Sequence, residues 1–165
     1  MKIHISRLEL AALIGLVITL GVSSVTGFMR DCAELRQEVL RIHILADSDQ
    51  EADQAVKLQV RDAVLEAINQ DFSGDGTLEG TIACLEGEMD HIEETANEVL
   101  AEAGMPYQAK AELTEMYFTT REYERNGSTF SMPAGRYQAL RITLGSGEGH
   151  NWWCVAYPPM CIDAA

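Results

Sequence analysis

The hydrophobic and polar positions of the chain separate an apolar N-terminal run from a longer amphipathic body. The run begins at Leu10 and continues, with weaker apolar character after Val22, to Met29. It is preceded by two basic residues, Lys2 and Arg7. A basic start before an apolar run is typical of an export signal, and about 20 apolar residues also suffice to span a bilayer. We therefore predict an export signal or a membrane anchor over residues 1–29, with cleavage undecided.

Two stretches of the body repeat apolar residues at intervals of three and four, which predicts two amphipathic helices. The first helix follows a short β-type run at Leu40–Ala46. It begins after Ser48, whose spacing from Glu51 matches a capping box. Its apolar stripe consists of Ala52, Ala55, Val56, Val60, Ala63, Val64, Ala67 and Ile68.

The second helix is predicted over Leu78–Ala103. Its apolar positions are Leu78, Ile82, Leu85, Met89, Ile92, Ala96, Val99 and Ala103. Gly104 supplies a stop signal, and Pro106 prevents the helix from continuing. We interpret the stripe as one face of a core helix rather than as the seam of a coiled coil.

After Pro106 the pattern changes to the alternation that is typical of β-strands. Strands are predicted over Tyr107–Phe118, Tyr137–Leu144 and Trp152–Tyr157, and the dipeptide Asn126-Gly127 predicts a turn. The order is strand, helix, helix, strand, strand, strand. It predicts an α+β fold, in which two helices pack on one face of a small, mostly antiparallel sheet. This domain is expected to occupy residues 30–165, after the N-terminal hydrophobic helix.

The charge of the chain restricts its partners. It has 26 acidic and 12 basic side chains among 165 residues, with a formal net charge of −14. This acidity argues against binding to the phosphates of nucleic acids and against docking on anionic lipid. The predicted export would place the domain outside the cytoplasm, where disulfides form readily.

Two of the four cysteines, Cys154 and Cys161, flank the Pro158-Pro159 pair. The double proline can bend the chain and bring the two sulfurs together, so a structural disulfide is the preferred interpretation. The alternatives are a buried reduced pair or a pairing with Cys32 or Cys84. Sequence alone does not choose among the three complete pairings.

The sequence contains no convincing catalytic or metal-binding constellation, and we predict no catalytic residue, metal or cofactor. A cysteine hydrolase would need His43 or His150 to activate Cys154, and nothing in the sequence brings them together. The lone carboxylate–imidazole pair of Glu88 and His91 is interpreted as a solvated helix face. Asp47 and Asp49 are interpreted as part of a helix cap. The glycine-rich stretch Gly145–Gly149 lacks the lysine of a phosphate loop and is interpreted as a flexible connector.

Both tryptophans of the chain, Trp152 and Trp153, are adjacent on one predicted strand. Neighbouring side chains on a strand point to opposite faces, so only one ring can enter the helix-side core. The other ring is then available to a partner or covered by a loop. We predict a partner-binding segment made of Asn151, Trp152, Trp153, Pro158 and Pro159.

Two blocks of the sequence resemble the stage II sporulation protein R family of endospore-forming bacteria. The first block comprises Leu40–Asp49, Asp53-Gln54 and Lys57–Val64. The second comprises Pro133–Arg141, Gly145, Gly147–Gly149, Asn151–Val155 and Pro158–Cys161. With the apolar N-terminus, the resemblance covers nearly the whole chain.

The resemblance implies a sporulation signalling protein and not an enzyme. Members of this family are made in the forespore and exported into the space between the two septal membranes. The resemblance implies a partner there, a membrane-embedded aspartic protease of the mother cell that processes the sigma-E precursor. The protein would be secreted or anchored by its N-terminal segment. The alternatives are an exported cysteine-dependent hydrolase and a passive septal binding module.

Overall fold

A computed structural model describes residues 6–71, 77–125 and 128–158 of the chain. Internal contacts divide the chain into two units, Met1–Arg36 and Gln37–Ala165. The first unit contains nearly all of one long helix, α1 (Arg7–Gln37), and the second contains the sheet and the remaining helices. The predicted boundary between residues 29 and 30 falls inside α1 and stays a prediction.

Helix α1 includes the apolar N-terminal run and buries none of its residues. It begins with a capping box. The Ser6 hydroxyl accepts a hydrogen bond from the Glu9 N–H at 3.2 Å, and the Glu9 carboxylate accepts one from the Ser6 N–H at 2.7 Å. The Thr19 hydroxyl donates to the Gly15 carbonyl at 2.8 Å, so this polar group is satisfied inside the helix. By length and composition α1 can cross a membrane, a property that signal sequences share.

Within its described residues, the second unit contains a four-stranded sheet, a separate hairpin and three helices. The elements in chain order are β1 (Leu40–Leu45), α2 (Glu51–Asp71), α3 (Leu78–Gly87), α4 (Met89–Glu102), β2 (Ala109–Phe118), β3 (Arg121–Arg125), β4 (Ser128–Met132), β5 (Gly135–Leu144) and β6 (Asn151–Tyr157). The sheet order is β2-β5-β1-β6, and only β1 and β5 are parallel. The predicted α+β fold on a mostly antiparallel sheet is confirmed.

The hydrophobic core lies between the helices and one face of the sheet. Central strand β1 contributes Ile42 and Ile44, which are completely buried. The predicted helical stripes supply the opposite side of this core with Val56, Val60, Val64, Ile68, Leu85, Ile92 and Ala96. Burial of each valine, leucine or isoleucine side chain in this set stabilises the fold by about 1.5–3 kcal/mol. The 3.6-residue periodicity therefore identified the helix faces correctly.

The helix predicted over Leu78–Ala103 is two helices, α3 and α4, which meet at Glu88. The backbone of Glu88 has φ −103° and ψ 8°, which is outside helical geometry. Gly87 stands directly before the break, and glycine costs a helix interior about 0.5–1 kcal/mol relative to alanine. The predicted stop at Gly104 is confirmed, because this residue adopts a φ of 70° just after α4.

The start of α2 differs from the predicted capping box. The Ser48 hydroxyl accepts from the N–H of Gln50 at 3.1 Å and donates to Asp53 at 2.5 Å, so its acidic partner is Asp53 rather than Glu51. The Tyr107 hydroxyl also donates to Asp53, at 2.6 Å. These two hydrogen bonds hold the pKa of the Asp53 carboxyl below its usual range. They also link the start of α2 to the segment that precedes β2.

The β3–β4 hairpin was not among the predicted strands. Its strands flank the Asn126-Gly127 dipeptide, for which a turn was predicted, and those two residues lie outside the described residues. The polar composition of β3, Arg-Glu-Tyr-Glu-Arg, hides its strand character, because charged residues are depleted in strands.

Candidate functional site

Trp152 and Trp153 lie on opposite faces of the sheet, as strand alternation predicts. Trp152 packs against the helix-side core, and Arg61 of α2 lies over its ring with Cζ 5.4 Å from the ring centroid. Trp153 points to the face opposite the helices, which we call the far face. There the Cζ of Arg121 is 3.8 Å from the Trp153 ring centroid. The predicted division between a core-side ring and a far-side ring is confirmed.

The far face carries a group of side chains that we call the arginine–aromatic cluster: Arg41, His43, Phe118, Tyr123, Tyr137 and Trp153. The Arg41 Cζ lies 4.1 Å from the ring centroid of Phe118 and 5.2 Å from that of Tyr137. Its Nη2 donates a hydrogen bond to the Tyr123 hydroxyl. Phe118 and Trp153 meet edge to face, with centroids 6.1 Å apart. Cation–π and edge-to-face contacts thus fix Arg41 inside a second, smaller core.

This cluster contains an unusual concentration of unpaired nitrogen atoms. Within the described part of the chain, four buried side-chain nitrogen or oxygen atoms have no hydrogen-bond partner, and all four are in the cluster. They are Arg41 Nε, Arg41 Nη1, His43 Nδ1 and Trp153 Nε1. An unpaired buried polar group costs about 1–3 kcal/mol, so the concentration of four on one face requires an explanation.

His43 lies among positive groups on the far face. Its Nε2 is 2.9 Å from the side-chain nitrogen of Asn151, which therefore positions the ring. Burial, together with the nearby charges of Arg141 and Arg41, lowers the pKa of His43 to about 4, so the ring is neutral at pH 7. Burial also lowers the pKa of Arg41, which nevertheless stays a cation.

A groove of about 430 Å³ opens between the hairpin and strand β6. Its lining residues are Arg121, Glu122, Tyr123, His150, Asn151, Trp152 and Trp153. Three of the predicted partner-binding residues, Asn151, Trp152 and Trp153, therefore meet at one surface feature. Pro158 is exposed just after β6 and does not line the groove. Pro159 lies outside the described residues.

The interpretation of Gly145–Gly149 as a flexible connector is wrong. Asp47 accepts hydrogen bonds from the Ser146 N–H at 2.6 Å through its side chain and from the Ser146 hydroxyl at 2.8 Å through its carbonyl. A Cβ on Gly149 would stand 2.2 Å from the Ser48 carbonyl oxygen, so the loop needs glycine to approach that backbone. The connector is a closely fitted loop.

The helix-cap role assigned to the two aspartates is also wrong. Asp47 holds the glycine-rich loop, and the Asp49 carboxylate accepts from the His150 N–H at 2.6 Å. The same carboxylate contacts the His150 ring at 2.6 Å. These hydrogen bonds hold the pKa of Asp49 below its usual range. Aspartate is suited both to capping a helix and to accepting hydrogen bonds from a loop that is distant in sequence. The sequence alone therefore could not distinguish these two roles.

The two sequence blocks that carry the family resemblance meet in space at this loop, where the Gly149 N–H donates to the Ala46 carbonyl at 2.9 Å. From the first block, Lys57 donates hydrogen bonds to the His150 carbonyl at 2.9 Å and to the Gln54 side chain at 2.6 Å. The Gln54 side chain donates to the Ser48 carbonyl at 2.9 Å. The start of α2 is thereby tied to the residue that leads into β6. This network fixes where the tryptophan-bearing strand begins.

The two histidines considered for a cysteine hydrolase are not brought to Cys154. Cys154 pairs with Ile42 and belongs to the helix-side core, whereas His43 pairs with Trp153 and lies on the far face. His150 instead binds Asp49. Cys161 lies outside the described residues, so its disulfide with Cys154 stays a prediction.

No group of three or more histidine, cysteine or acidic side chains within the described ranges is arranged to hold a metal ion. Cys32 and Cys84 are thiols. The described site is instead a surface of stacked arginines, aromatic rings and an edge strand, which suits recognition of another molecule.

Sequence reasoning missed Arg41, Phe118, Arg121 and Tyr123. Arg41 and His43 alternate with the buried isoleucines of β1, a pattern that normally places polar residues in solvent. Here a hairpin and aromatic rings cover that face, and Arg41 has no exposed surface. The available signal was the clustering of aromatic residues with arginines at strand ends, which is too common to identify a site alone.

Comparison with known proteins assigns the chain to a family. The family described as stage II sporulation protein R matches residues 36–165, which include the whole second unit. The chain belongs to the stage II sporulation protein R family. The recognition made from the two sequence blocks is confirmed.

One relative in this family is the stage II sporulation protein R of Bacillus subtilis (strain 168). It is 33% identical over 125 residues, which are 76% of this chain and 54% of that protein. The chain therefore spans about half the length of this relative. No solved structure matches the chain.

Proposed function

We propose that this chain is an exported signalling protein, which activates a membrane-embedded aspartic protease of the mother cell. That protease would then remove the pro-sequence from the sigma-E precursor. The observation that carries the proposal is the match to the stage II sporulation protein R family over residues 36–165. The resemblance to this family implies sporulation signalling. The proposed place of action is the space between the two septal membranes.

The N-terminal helix supports export. Helix α1 carries the apolar run from Leu10 to Met29 and buries none of its residues, and two basic residues, Lys2 and Arg7, precede that run. We propose that residues 1–29 act as an export signal or membrane anchor and that residues 30–165 carry the signal outside the cytoplasm. An anchored form would keep the signalling domain at the membrane surface, where its protease partner is embedded.

The proposed contact with the protease involves Asn151, Trp152, Trp153, Pro158 and Pro159. The groove beside β6 supports the first three of these residues, because they line it together. Tryptophan is enriched among residues that dominate binding energy at protein interfaces. The half-buried rings offer a large apolar area that is already held in place by stacked arginines.

Complementation in sporulating cells tests the proposal. The chain is expressed in cells that lack their own copy of this family member but contain a compatible protease, and cleavage of the sigma-E precursor is followed. We expect cleavage to be restored. Persistent absence of cleavage, with export verified, contradicts the proposal. Binding to the protease without cleavage would indicate a passive septal binding module.

Mass spectrometry with and without reductant tests the hydrolase alternative. We expect a mass difference that corresponds to one disulfide between Cys154 and Cys161 in protein that complements. Active protein with that disulfide excludes a thiol nucleophile at Cys154, whereas active protein with both cysteines alkylatable contradicts the predicted disulfide. Cys154→Ser alone is less decisive, because Cys154 is buried in the core.

A further inference from the structure

The side of the sheet opposite β6 ends in strand β2. It is the first strand in the order β2-β5-β1-β6, and its register with β5 is continuous. The N–H groups of Ala109 and Ala111 donate to side chains of α4, so they point away from β5. Because backbone groups alternate along an antiparallel ladder, those of Leu113, Glu115 and Tyr117 also point away from β5. These groups form the outer edge of the sheet.

Helix α4 covers the outer edge of β2 along one part only. Asn97 accepts the hydrogen bond from the Ala109 N–H at 2.8 Å, and Glu93 accepts the one from the Ala111 N–H at 2.9 Å. We call the remaining stretch, residues 113–117, the open half of β2. In the part of the chain that the structure describes, no hydrogen bond engages the outward N–H groups of the open half. Such groups are those that an added strand binds.

One long contact reaches the carbonyl side of the open half. Arg136 of β5 forms an ion pair with Glu115, and its Nη2 lies 3.4 Å from the Glu115 carbonyl oxygen. The side chains of Arg136 and Glu115 are 66% and 50% exposed, so the guanidinium can leave the carbonyl while it keeps the carboxylate. The ion pair also neutralises a charge that would otherwise keep other strands away from this edge.

The side chains of the open half offer little protection against another strand. Tyr117 is 62% exposed, and outside α1 the described residues include one other exposed large hydrophobic residue, Leu58. Leu113 and Met116 are half-buried. Exposed edges are usually protected by a proline, a β-bulge or an unpaired charge. The open half contains no proline or bulge and its one charged side chain is paired, so this edge is available for pairing.

We propose that the open half of β2 pairs with the open half of a second copy of this chain, antiparallel and centred on Glu115. In this register Leu113 of one copy lies opposite Tyr117 of the other, on the face that carries the helices. Thr114 of one copy lies opposite Met116 of the other, on the far face. Apolar side chains thus meet apolar or β-branched ones across the junction, a combination that stabilises strand pairs.

Charge and length also select a second copy as the occupant. The two Glu115 carboxylates meet at the centre, where an Arg136 from each copy is at hand to bind them. The pairing ends where Glu93 and Asn97 cover the strand, and its two-fold symmetry closes the assembly as a dimer. Because the junction is short, we expect a dimer that dissociates on dilution. This inference does not rest on the proposed function.

A single introduced cysteine tests the register. Position 115 lies on the two-fold axis, so the Cα atoms of the two copies would be about 5.5 Å apart, within the range of a disulfide. Position 110, exposed on the same strand, is the matched control, because its two copies would be about 34 Å apart. The full chain in mild detergent is oxidised, and covalent dimers are measured on gels without reductant.

The wild type measures the background from the native cysteines, and mass spectrometry locates each new disulfide. We expect Glu115→Cys to form covalent dimers well above the wild-type level, linked through the introduced thiols. Lys110→Cys should form none through position 110.

Tyr117→Glu and Leu58→Glu form a matched pair of variants. Both replace an exposed hydrophobic residue and add one negative charge, but Leu58 lies on α2. Sedimentation velocity of the full chain in mild detergent, over a dilution series, measures the dissociation constant of the dimer. We expect Tyr117→Glu to raise this constant at least tenfold, because the new carboxylate faces Leu113 and Glu115 of the other copy. Leu58→Glu should change it by no more than about twofold.

Several results would overturn the proposal. They are a monomer at every concentration, equal dimerisation of Tyr117→Glu and Leu58→Glu, equal crosslinking through positions 115 and 110, and open-ended oligomers, which two-fold pairing does not form. Equal dimerisation of the two glutamate variants would place the contact outside β2, on α1 for example. The proposed function is judged separately by complementation.

Discussion

At the scale of residues, the far face shows that an arginine side chain can be buried without a carboxylate partner. Arg41 is completely buried, contacts three aromatic rings and donates to Tyr123, while two of its nitrogen atoms stay unpaired. The cation–π contacts stabilise the guanidinium, and the unpaired donors and lost hydration oppose them. Because these effects oppose each other, we expect Arg41 to contribute little net stability.

Replacing Arg41 therefore separates stability from signalling. We expect Arg41→Met to change the free energy of unfolding by less than about 1 kcal/mol, because buried ionic groups are often replaceable by apolar ones of similar volume. On the helix side, Ile42→Ala should cost about 2–5 kcal/mol through the lost burial and the cavity. Urea unfolding of both variants checks this. A loss of about 3 kcal/mol or more with Arg41→Met would show that the guanidinium holds the fold together.

The protonation of His43 should make stability depend on pH. The folded-state pKa of about 4 is below the ordinary value of 6.5, so the unfolded chain binds the proton more readily. Neutral His43 makes its full contribution to the free energy of unfolding above pH 6.5, and this contribution is lost as pH falls toward 4. The free energy of unfolding then changes by at most about 1.4 kcal/mol per pH unit. As the pH is lowered from 7.5 to 4.5, the urea concentration at the midpoint of unfolding should fall for the wild type. It should fall less for His43→Gln. The exposed His150 provides the control, and His150→Gln should keep the His43 component.

At the scale of elements, hydrogen bonds between segments distant in sequence fix the conformation of the loops. The glycine-rich stretch Gly145–Gly149 has the composition of a flexible linker, but Asp47 and Asp49 capture its backbone. Helix α3 shows the opposite case, in which a local glycine, Gly87, stands at the break that the apolar stripe did not reveal. Periodicity detects which face is buried, and it is insensitive to a break that leaves the same face buried.

Two glycine substitutions test this difference. A Cβ at Gly149 would collide with the Ser48 backbone at 2.2 Å, whereas a Cβ at Gly87 would meet nothing within 4 Å. We expect Gly149→Ala to destabilise the protein by about 1–3 kcal/mol and Gly87→Ala to stabilise it by about 0.5–1 kcal/mol. Thermal unfolding of the two variants measures both effects. Equal behaviour would mean that the loop can move away from Ser48 at little cost.

At the scale of the whole molecule, the hydrophobic core belongs to one unit. Every residue of the core lies within Gln37–Ala165, and helix α1 buries none of its residues. The arginine–aromatic cluster and the groove beside β6 also belong to this second unit. In the proposed function the helix delivers or anchors the domain, and the domain carries the signal.

Removing the N-terminal segment tests this division of roles. We expect a chain that begins at Gln37 to unfold cooperatively, with a melting temperature within about 4 °C of the full chain, and to lose membrane association. A chain that begins at residue 30 is the matched comparison for the boundary predicted from sequence. Circular dichroism and flotation with liposomes measure the two properties. Loss of cooperative unfolding in both shortened chains would show that the body needs α1.

The sequence by itself determined the apolar N-terminal helix, the α+β class, the buried faces of α2 and α4, and the opposite orientation of the two tryptophans. Each follows from local periodicity, because 3.6-residue and 2-residue repeats fix which side chains share a face. Only the tertiary structure decided that β1 and β5 pair in parallel, that Asp47 and Asp49 hold a loop about 100 residues away, and that Arg41 is buried. Those features depend on contacts between segments distant in sequence, and local composition does not encode which segments meet.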